Sequence, residues 1–356
     1  MTKKIIFTGG GSAGHVTLNL ALIPFFLQNG WEVVYIGSYN GIEKELVGKI
    51  KEVKYIPILT GKLRRYFSWQ NFIDLVKIPV GILQAIWIVN RQKPNIIFSK
   101  GGFVSFPVVC AAKVNSVKCV MHESDVTPGL ANKMSLPFVS KFFTTFEDTI
   151  KYVKDKSKVD YVGPVLSDRL KNGMKSNACK ICGFDGEKPV VMVIGGSLGA
   201  KSINDAVRDN LDDILKKYQV IHICGKGQVV EGADTKGYKQ FDYVSDELKD
   251  FMAAADVVIS RAGSNSIFEL LSLNKPMILV PLSEESSRGE QMLNAKSFQG
   301  KGYCEIIPDN QIKDAKLFID TLNKVYQDRF MYQDNMKNSG FKVTNNTELA
   351  EKIIKL

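Results

Sequence analysis

His15 stands directly behind a glycine turn, Thr8-Gly9-Gly10-Gly11-Ser12-Ala13-Gly14, and is one of three histidines in the chain. An imidazole can take up a proton near neutral pH, and a residue at this point faces the ligand side of a strand–turn–helix unit. His15 is therefore a candidate base or substrate contact; the structural alternative is a residue that packs the helix start. The turn itself bares backbone N–H groups and the positive end of a helix dipole, which suit an anion. The same construction recurs in Val190-Val191-Met192-Val193-Ile194-Gly195-Gly196-Ser197-Leu198-Gly199, and a third turn reads Ser99-Lys100-Gly101-Gly102-Phe103-Val104-Ser105. Three such turns suit two phosphate-bearing substrates better than one.

Gly9-x-Gly11-x-x-Gly14 satisfies the dinucleotide fingerprint. An NAD site also needs a carboxylate at the end of the second strand, about 20 positions on, to hold the ribose. Tyr35-Ile36-Gly37-Ser38 occupies that place and holds none. The reading moves away from a dinucleotide cofactor, and His222 reads as an ordinary strand residue.

The elements that must position these turns alternate between apolar strands and helical patterns, which predicts an α/β fold with parallel sheets. Strands are expected near 5–7, 32–36, 96–98, 118–121, 141–144 and 159–162, then near 190–194, 220–224, 239–243, 256–260, 277–280 and 304–306. Gly163-Pro164 breaks the pattern, and Leu166–Lys188 is polar and aperiodic. Two doubly wound domains follow, 1–163 and 164–356, with a final helix able to pack back on the first. At 356 residues the chain suits two cores rather than one.

The net charge of +10 is uneven: up to Gly163 there are 21 Lys and Arg against 11 Asp and Glu, and beyond it 26 of each. A basic half suits a phosphorylated substrate or an anionic membrane leaflet. No RNA-binding aromatic motif, zinc finger or basic zipper appears, so nucleic acid is not expected as a partner. Between Gly61 and Lys93, Lys62, Arg64 and Arg65 precede Tyr66, Phe67, Trp69 and Phe72 and then an apolar helical run. Asp74, Lys77, Pro79 and Gln84 interrupt that run, which falls short of the about 20 apolar residues a span requires. One reading is a core-facing helix pair behind a solvated loop; the other lays the basic-aromatic segment on a membrane surface. The six cysteines show no framework spacing, and the chain opens into a strand without a leader, which together predict a reduced, cytoplasmic protein.

Several motifs together resemble the MurG family of N-acetylglucosaminyltransferases. They are Gly9–His15, Lys100–Pro107, His122-Glu123-Ser124-Asp125 with Pro128-Gly129, and Gly195–Ala200. Ser260-Arg261-Ala262-Gly263-Ser264-Asn265-Ser266-Ile267-Phe268-Glu269 and Gln291-x-x-Asn294-Ala295 complete the set. The resemblance runs nearly the length of the chain and in the same order. It implies a GT-B fold, two Rossmann-like domains facing a cleft, and an inverting, metal-independent transferase at the cytoplasmic face of the membrane. The reaction implied moves N-acetylglucosamine from its UDP carrier to lipid I, giving lipid II for peptidoglycan, without a cofactor. Cell-wall synthesis and division proteins are implied partners.

Carried over by position, the resemblance gives Glu269 the ribose hydroxyls, and Ser264, Asn265, Ser266, Ile267 and Phe268 the donor diphosphate, aided by Ser197. Val244 reads the uracil edge through its backbone, and Gln291 with Asn294 contacts the sugar. Ser12, Ala13 and Gly14 are assigned to the donor, and with His15 and the Gly101–Ser105 turn they also cradle the acceptor diphosphate. Gly11, Gly101, Gly102, Ser105 and His122 are acceptor contacts. His15 is the candidate base, with Glu123 and Asp125 as rivals, and Arg261 is a further source of positive charge or simply a strand end.

Three departures from the family pattern stand out. Leu18 replaces a proline, Asp125 replaces an asparagine, and Leu166 replaces a junction arginine whose donor contact must be lost or supplied elsewhere. The alternatives are a related transferase with another lipid acceptor, a nucleotide-sugar 2-epimerase, and a membrane-docked binding subunit without turnover.

Overall fold

A computed structural model describes residues 2–12, 14–61, 69–166, 168–196, 199–283 and 289–356, with backbone alone over 69–75. The chain divides into two compact units, residues 1–165 with 342–356, and residues 166–341.

In the first unit the described strands are β1 (Lys4–Thr8), β2 (Glu32–Ser38), β3 (Lys54–Ile58), β4 (Ile96–Ser99), β5 (Lys118–Glu123), β6 (Lys141–Thr144) and β7 (Val159–Tyr161). They form one parallel sheet in the order β3-β2-β1-β4-β5-β6-β7. Helices α1 (Gly14–Gln28), α2 (Ile42–Val47), α3 (Trp69–Gln92), α4 (Ser105–Val114) and α5 (Leu130–Ser135) connect them. Successive residues of a strand face opposite sides, so Ile5 and Phe7 enter one core layer and Ile6 the other.

Strand β3 is absent from the sequence reading because Pro57 interrupts it; the strand lies at the sheet edge, where a missing N–H is tolerated. The expected helix pair is instead one helix, α3, running through Pro79. Gly81 lets it pass against the Leu59 carbonyl, and Gln84 accepts the Leu59 N–H at 2.8 Å.

In the second unit, 175–182, read as aperiodic, forms α6 (Lys175–Cys182). Then follow β8 (Val190–Ile194), α7 (Lys201–Asp209), α8 (Leu211–Lys217), β9 (Gln219–Ile223), β10 (Tyr238–Phe241), α9 (Leu248–Ala254), β11 (Val257–Ser260) and α10 (Ser264–Ser272). Next come β12 (Met277–Leu279), α11 (Glu290–Gln299), β13 (Cys304–Ile306), α12 (Ala315–Gln327) and α13 (Arg329–Lys337). The described strands form a parallel sheet in the order β10-β9-β8-β11-β12-β13. His222 lies buried in β9 between the Tyr238 hydroxyl (2.9 Å) and Asn204 Oδ1 (3.0 Å), and burial holds its pKa down at about 3.

The last helix, α14 (Asn346–Ile354), belongs to the first unit, where Leu349, Ala350 and Ile353 join the core beside α1. Residues 342–356 thus lie on the first unit, where the sequence division, 164–356 to the second, left the final helix able to pack. Thr344 stitches this return: its N–H reaches the Pro164 carbonyl at 3.0 Å and its hydroxyl donates to the Val162 carbonyl. Gly163, at φ +76°, has the Lys342 carbonyl where a Cβ would stand. Gly163→Ala should therefore cost about 1–3 kcal/mol for the left-handed backbone and more for the collision. Gly186→Ala, at φ +80° with open space around the Cβ, reports the backbone part alone. Calorimetric melting of both variants checks this, with the larger drop expected at Gly163.

Candidate functional site

Parallel α/β sheets bind ligands beyond the carboxyl ends of their strands, where the strand order reverses. In the first unit that point lies between β1 and β4, paired through Thr8 and Ser99. The turns that follow them are pressed together. Gly10 N–H points to the Gly101 carbonyl (3.4 Å), a Cβ on Gly102 (φ +85°) would strike the Gly10 carbonyl, and one on Gly11 (φ +84°) would strike the Phe103 ring. The His15 ring borders Gly102, its Cδ2 3.2 Å from where a Cβ would sit, and His15 is half-buried at the head of α1. Gly11, Ser12 and Gly14 are exposed. Ser105 is buried and donates to the Gly101 carbonyl at 2.7 Å, so its hydroxyl shapes the turn.

Glu43 is the carboxylate that β2 lacked, and its position explains the turn. Fully buried, it accepts from Gly11 N–H at 3.2 Å, Ser38 N–H at 3.1 Å and the Ser38 hydroxyl at 2.5 Å. Tyr35, donating to the Gly9 carbonyl at 2.7 Å, and Asn19, donating to the Thr8 carbonyl at 3.1 Å, complete a buried polar bracket. A carboxylate enclosed in this way presents nothing to a ribose. The departure from a dinucleotide site rests on that burial, not on the absence of an acid.

The segment 122–132 behind β5 is organised by Glu123, which is 4% exposed. Its Oε1 accepts from Ser124 N–H (2.8 Å) and Asp125 N–H (3.1 Å), its Oε2 from Gly129 N–H (3.0 Å) and Asn132 Nδ2 (2.9 Å). Four donors occupy both oxygens, which corrects the assignment of Glu123 as a rival base: it anchors a loop. His122 is likewise buried, and among the described residues neither ring nitrogen has a hydrogen-bond partner. Burial, reinforced by the Lys100 charge, holds its pKa well below the usual value, so it is a neutral ring inside the fold and not a surface acceptor contact. Asp125 is half-buried beside it.

Lys100 is the residue that sequence reasoning missed here. It is buried at the end of β4 and its ammonium donates to the Ser124 hydroxyl. Burial lowers its pKa, while the charges of Glu123 and Asp125 oppose the shift. A buried ammonium needs such company, and Asp125 supplies it where an asparagine would not. The signal was present in the Ser99-Lys100-Gly101 turn, read for its glycines alone.

In the second unit the order reverses between β8 and β11, paired through Ile194 and Ser260. A cavity of about 240 Å³ opens beyond β8 and β9, lined by Ile194, Gly196, Ile223, Val244, Lys249 and Arg169 among others. Val244 is buried at its wall. After β11, Gly263 heads α10 and brings no side chain to cap it. Ser264 is buried there, Asn265 and Ser266 are exposed, and Ile267 and Phe268 face the core.

Glu269 projects from α10 with its carboxylate mostly shielded. Burial raises its pKa, and Arg169, bonded to its Oε1 at 3.1 Å, opposes that rise. Arg169 lies three residues beyond Leu166 on a short 3₁₀ turn, Asp168–Leu170. Asp250 helps place that turn, accepting from Met174 N–H at 2.6 Å and Asn177 Nδ2 at 3.4 Å.

The structure places three further residues of the sequence reading as follows. Arg261 donates to Asp309 (2.6 Å), the Val280 carbonyl (3.1 Å) and the Ser202 hydroxyl (2.9 Å), so its charge ties β11 to its neighbours. Asn294 is fully buried and donates to the Ala262 carbonyl at 3.3 Å, and so supports the turn before α10 instead of presenting itself to a sugar. Gln291, half-buried, accepts the Leu282 N–H at 3.2 Å. Ala13 and Ser197 lie outside the described residues, as do Lys62, Arg64, Arg65, Tyr66 and Phe67.

Two parallel α/β sheets, each with glycine turns where its strand order reverses, define an architecture of the GT-B class. Residues 5–144 match the glycosyltransferase family 28 N-terminal domain and residues 190–353 its C-terminal domain, and the chain belongs to that family.

It is similar almost end to end to UDP-N-acetylglucosamine–N-acetylmuramyl-(pentapeptide) pyrophosphoryl-undecaprenol N-acetylglucosamine transferases. That of Geobacillus kaustophilus is 51% identical over 341 residues, 96% of this chain and 95% of its own. That of Clostridium tetani is 51% identical over 355 residues, 99% and 98%. The crystal structure of Acinetobacter baumannii MurG shares the fold with a TM-score of 0.78 at 19% identity, covering 99% of this chain and 100% of that one. A Listeria monocytogenes protein described as a putative UDP-N-acetylglucosamine 2-epimerase shares it at 0.63 and 11%, covering 99% of this chain and 95% of that one. Architecture by itself thus does not separate the two chemistries.

Glu123→Gln places an NH2 group against two of the four donors and should destabilise the first unit by about 1–3 kcal/mol per unpaired donor. Any affinity of the second unit for UDP should be unchanged, because Glu123 belongs to the first. Thermal melting together with UDP titration checks both expectations.

Proposed function

We propose that this chain transfers N-acetylglucosamine from UDP-N-acetylglucosamine to the muramyl 4-hydroxyl of undecaprenyl-diphospho-N-acetylmuramoyl-pentapeptide, with inversion. The observation that carries this reading is about 50% identity to transferases of that name along nearly the whole chain, together with Glu269 beside the second-unit cavity. The second unit holds the donor: Val244 lies against the uracil, Glu269 accepts from the ribose hydroxyls, and the start of α10 receives the diphosphate. A carboxylate suits a diol because it only accepts.

The first unit holds the acceptor at the joined turns after β1 and β4. His15 takes the proton of the acceptor hydroxyl as its oxygen attacks the anomeric carbon from the face opposite UDP. The bond to the diphosphate breaks, and the electron pair leaves with UDP, stabilised by the amides at the start of α10. Asp125 is the remaining rival for the proton.

An apolar stripe supports a peripheral position on the membrane at its cytoplasmic face. Val76, Val80, Leu83 and Trp87 recur on one face of α3 at 68%, 39%, 67% and 60% exposure, and Arg91 stacks on Trp87 at 5.3 Å. Among the described residues no helix is long and apolar enough to cross a membrane. A row of exposed apolar side chains beside basic groups fits an interfacial helix face. The same reading makes proteins of cell-wall synthesis and division candidate partners.

A product assay with purified protein, labelled UDP-N-acetylglucosamine and short-chain lipid I tests the activity; release of free sugar or an epimer in place of lipid II would reject it. His15→Ala should slow transfer about a hundredfold or more while keeping UDP affinity, given the usual contribution of a general base. Glu269→Ala should mainly weaken donor binding. Equal loss of UDP affinity in both variants would contradict this division of roles. Leu83→Asn combined with Trp87→Asn should lower binding to anionic vesicles at least about tenfold, since each buried side chain contributes about 1.5–3 kcal/mol. UDP titration should be unaffected by that pair.

A further inference from the structure

The ion pair between Arg169 and Glu269 joins two groups with very different environments. The Arg169 side chain is 66% exposed and that of Glu269 only 23%. The arginine is at home in water without its partner, whereas the shielded carboxylate needs a donor. One hydrogen bond, from Nη2 to Oε1, holds them, and among the described residues no backbone N–H reaches this carboxylate. Glu43 and Glu123 differ in this respect, being closed by amides on both sides of the loops they hold. A carboxylate accepts at about four lone-pair positions, so most of Glu269's capacity is unspent. Arg169 also lines the cavity, together with Gly196 and Lys249, and its turn is anchored by Leu170, which is 6% exposed.

We propose that Arg169 exchanges partners during donor binding: it pairs with Glu269 in the empty protein and turns onto the donor diphosphate once a ribose diol occupies that carboxylate. This rests on the donor reading given above. A diol replaces the donor that Glu269 would otherwise lose, so the carboxylate stays satisfied. The released guanidinium keeps five N–H donors in a planar fork that matches phosphate oxygens. Its exposure makes the movement cheap, and its anchored turn keeps it at the cavity. The pairing also sets a threshold, because a uridine without phosphates must displace Arg169 and offers it nothing in return. Discrimination for a nucleoside diphosphate over a bare nucleoside follows.

Titration calorimetry with UDP and with uridine, on the full chain and on Arg169→Met, Arg169→Lys and Lys249→Met, tests the exchange. The expected result is a fall of about tenfold to a hundredfold in UDP affinity for Arg169→Met. Uridine affinity should hold or rise, because its competitor for Glu269 is gone. Arg169→Lys should recover part of the UDP affinity. Melting temperatures near the parent's would show that the exposed side chain is not needed for folding.

A parallel loss for UDP and uridine would make Arg169 a simple brace for Glu269 and overturn the exchange. An unchanged UDP affinity in Arg169→Met with a loss in Lys249→Met would pass the diphosphate to Lys249 and also overturn it. If the parent chain binds neither ligand, the donor reading itself fails, an outcome distinct from either of these.

Discussion

The approach of the turns behind β1 and β4 is the constraint on which the first unit depends. Parallel strands that are neighbours in the sheet bring their carboxyl ends to one edge, and here both ends carry glycine turns. Gly10 and Gly102 meet backbone to backbone, and Gly11 admits the Phe103 ring, with left-handed φ at Gly11 and Gly102. A side chain at Gly11 or Gly102 would push the turns apart, and one at Gly10 would strike the Glu43 carboxylate. What results is a surface of backbone groups with His15 at its border.

Carboxylates divide the work of the molecule between them. Glu43 and Glu123 in the first unit and Asp250 in the second are buried and receive backbone N–H donors, and each fixes the loop that surrounds it. The geometry of the ligand-facing turns is therefore set from beneath by charge-assisted hydrogen bonds, which are stronger than neutral ones. Glu269 is built otherwise: it is shielded, raised in pKa by burial, and held by a single exposed guanidinium. A group left with spare acceptor capacity at the side of a cavity is poised to take a ligand's donors. The same distinction separates Arg261, saturated by Asp309 and its neighbours, from Arg169.

Lys100 shows how one substitution is carried by the fold. Its buried ammonium faces Glu123 and Asp125 and adds to the burial that depresses the basicity of His122. The negative charge that Asp125 brings to a position usually amide in the family is offset from within the same unit.

Much of this was legible in the amino-acid sequence. Apolar runs between glycine turns announced twelve of the strands found, because fully buried parallel strands are continuous apolar segments; β3 escaped through its proline. The family, the two-domain organisation and the candidate status of His15 and Glu269 were also readable from residue types and their order. What the tertiary structure alone decided was which polar groups are spent. Nothing local distinguishes Glu123 from Glu269, or Asn294 from Gln291, since a side chain's availability depends on donors brought to it from distant segments. Gly129 and Asn132 close around Glu123, and Ala262 claims Asn294. Arg169 comes to Glu269 from 100 positions away. Local pattern sets the turns and strands because their hydrogen bonds and burial repeat with short periods, whereas the commitment of each charge is settled only when the chain has folded around it.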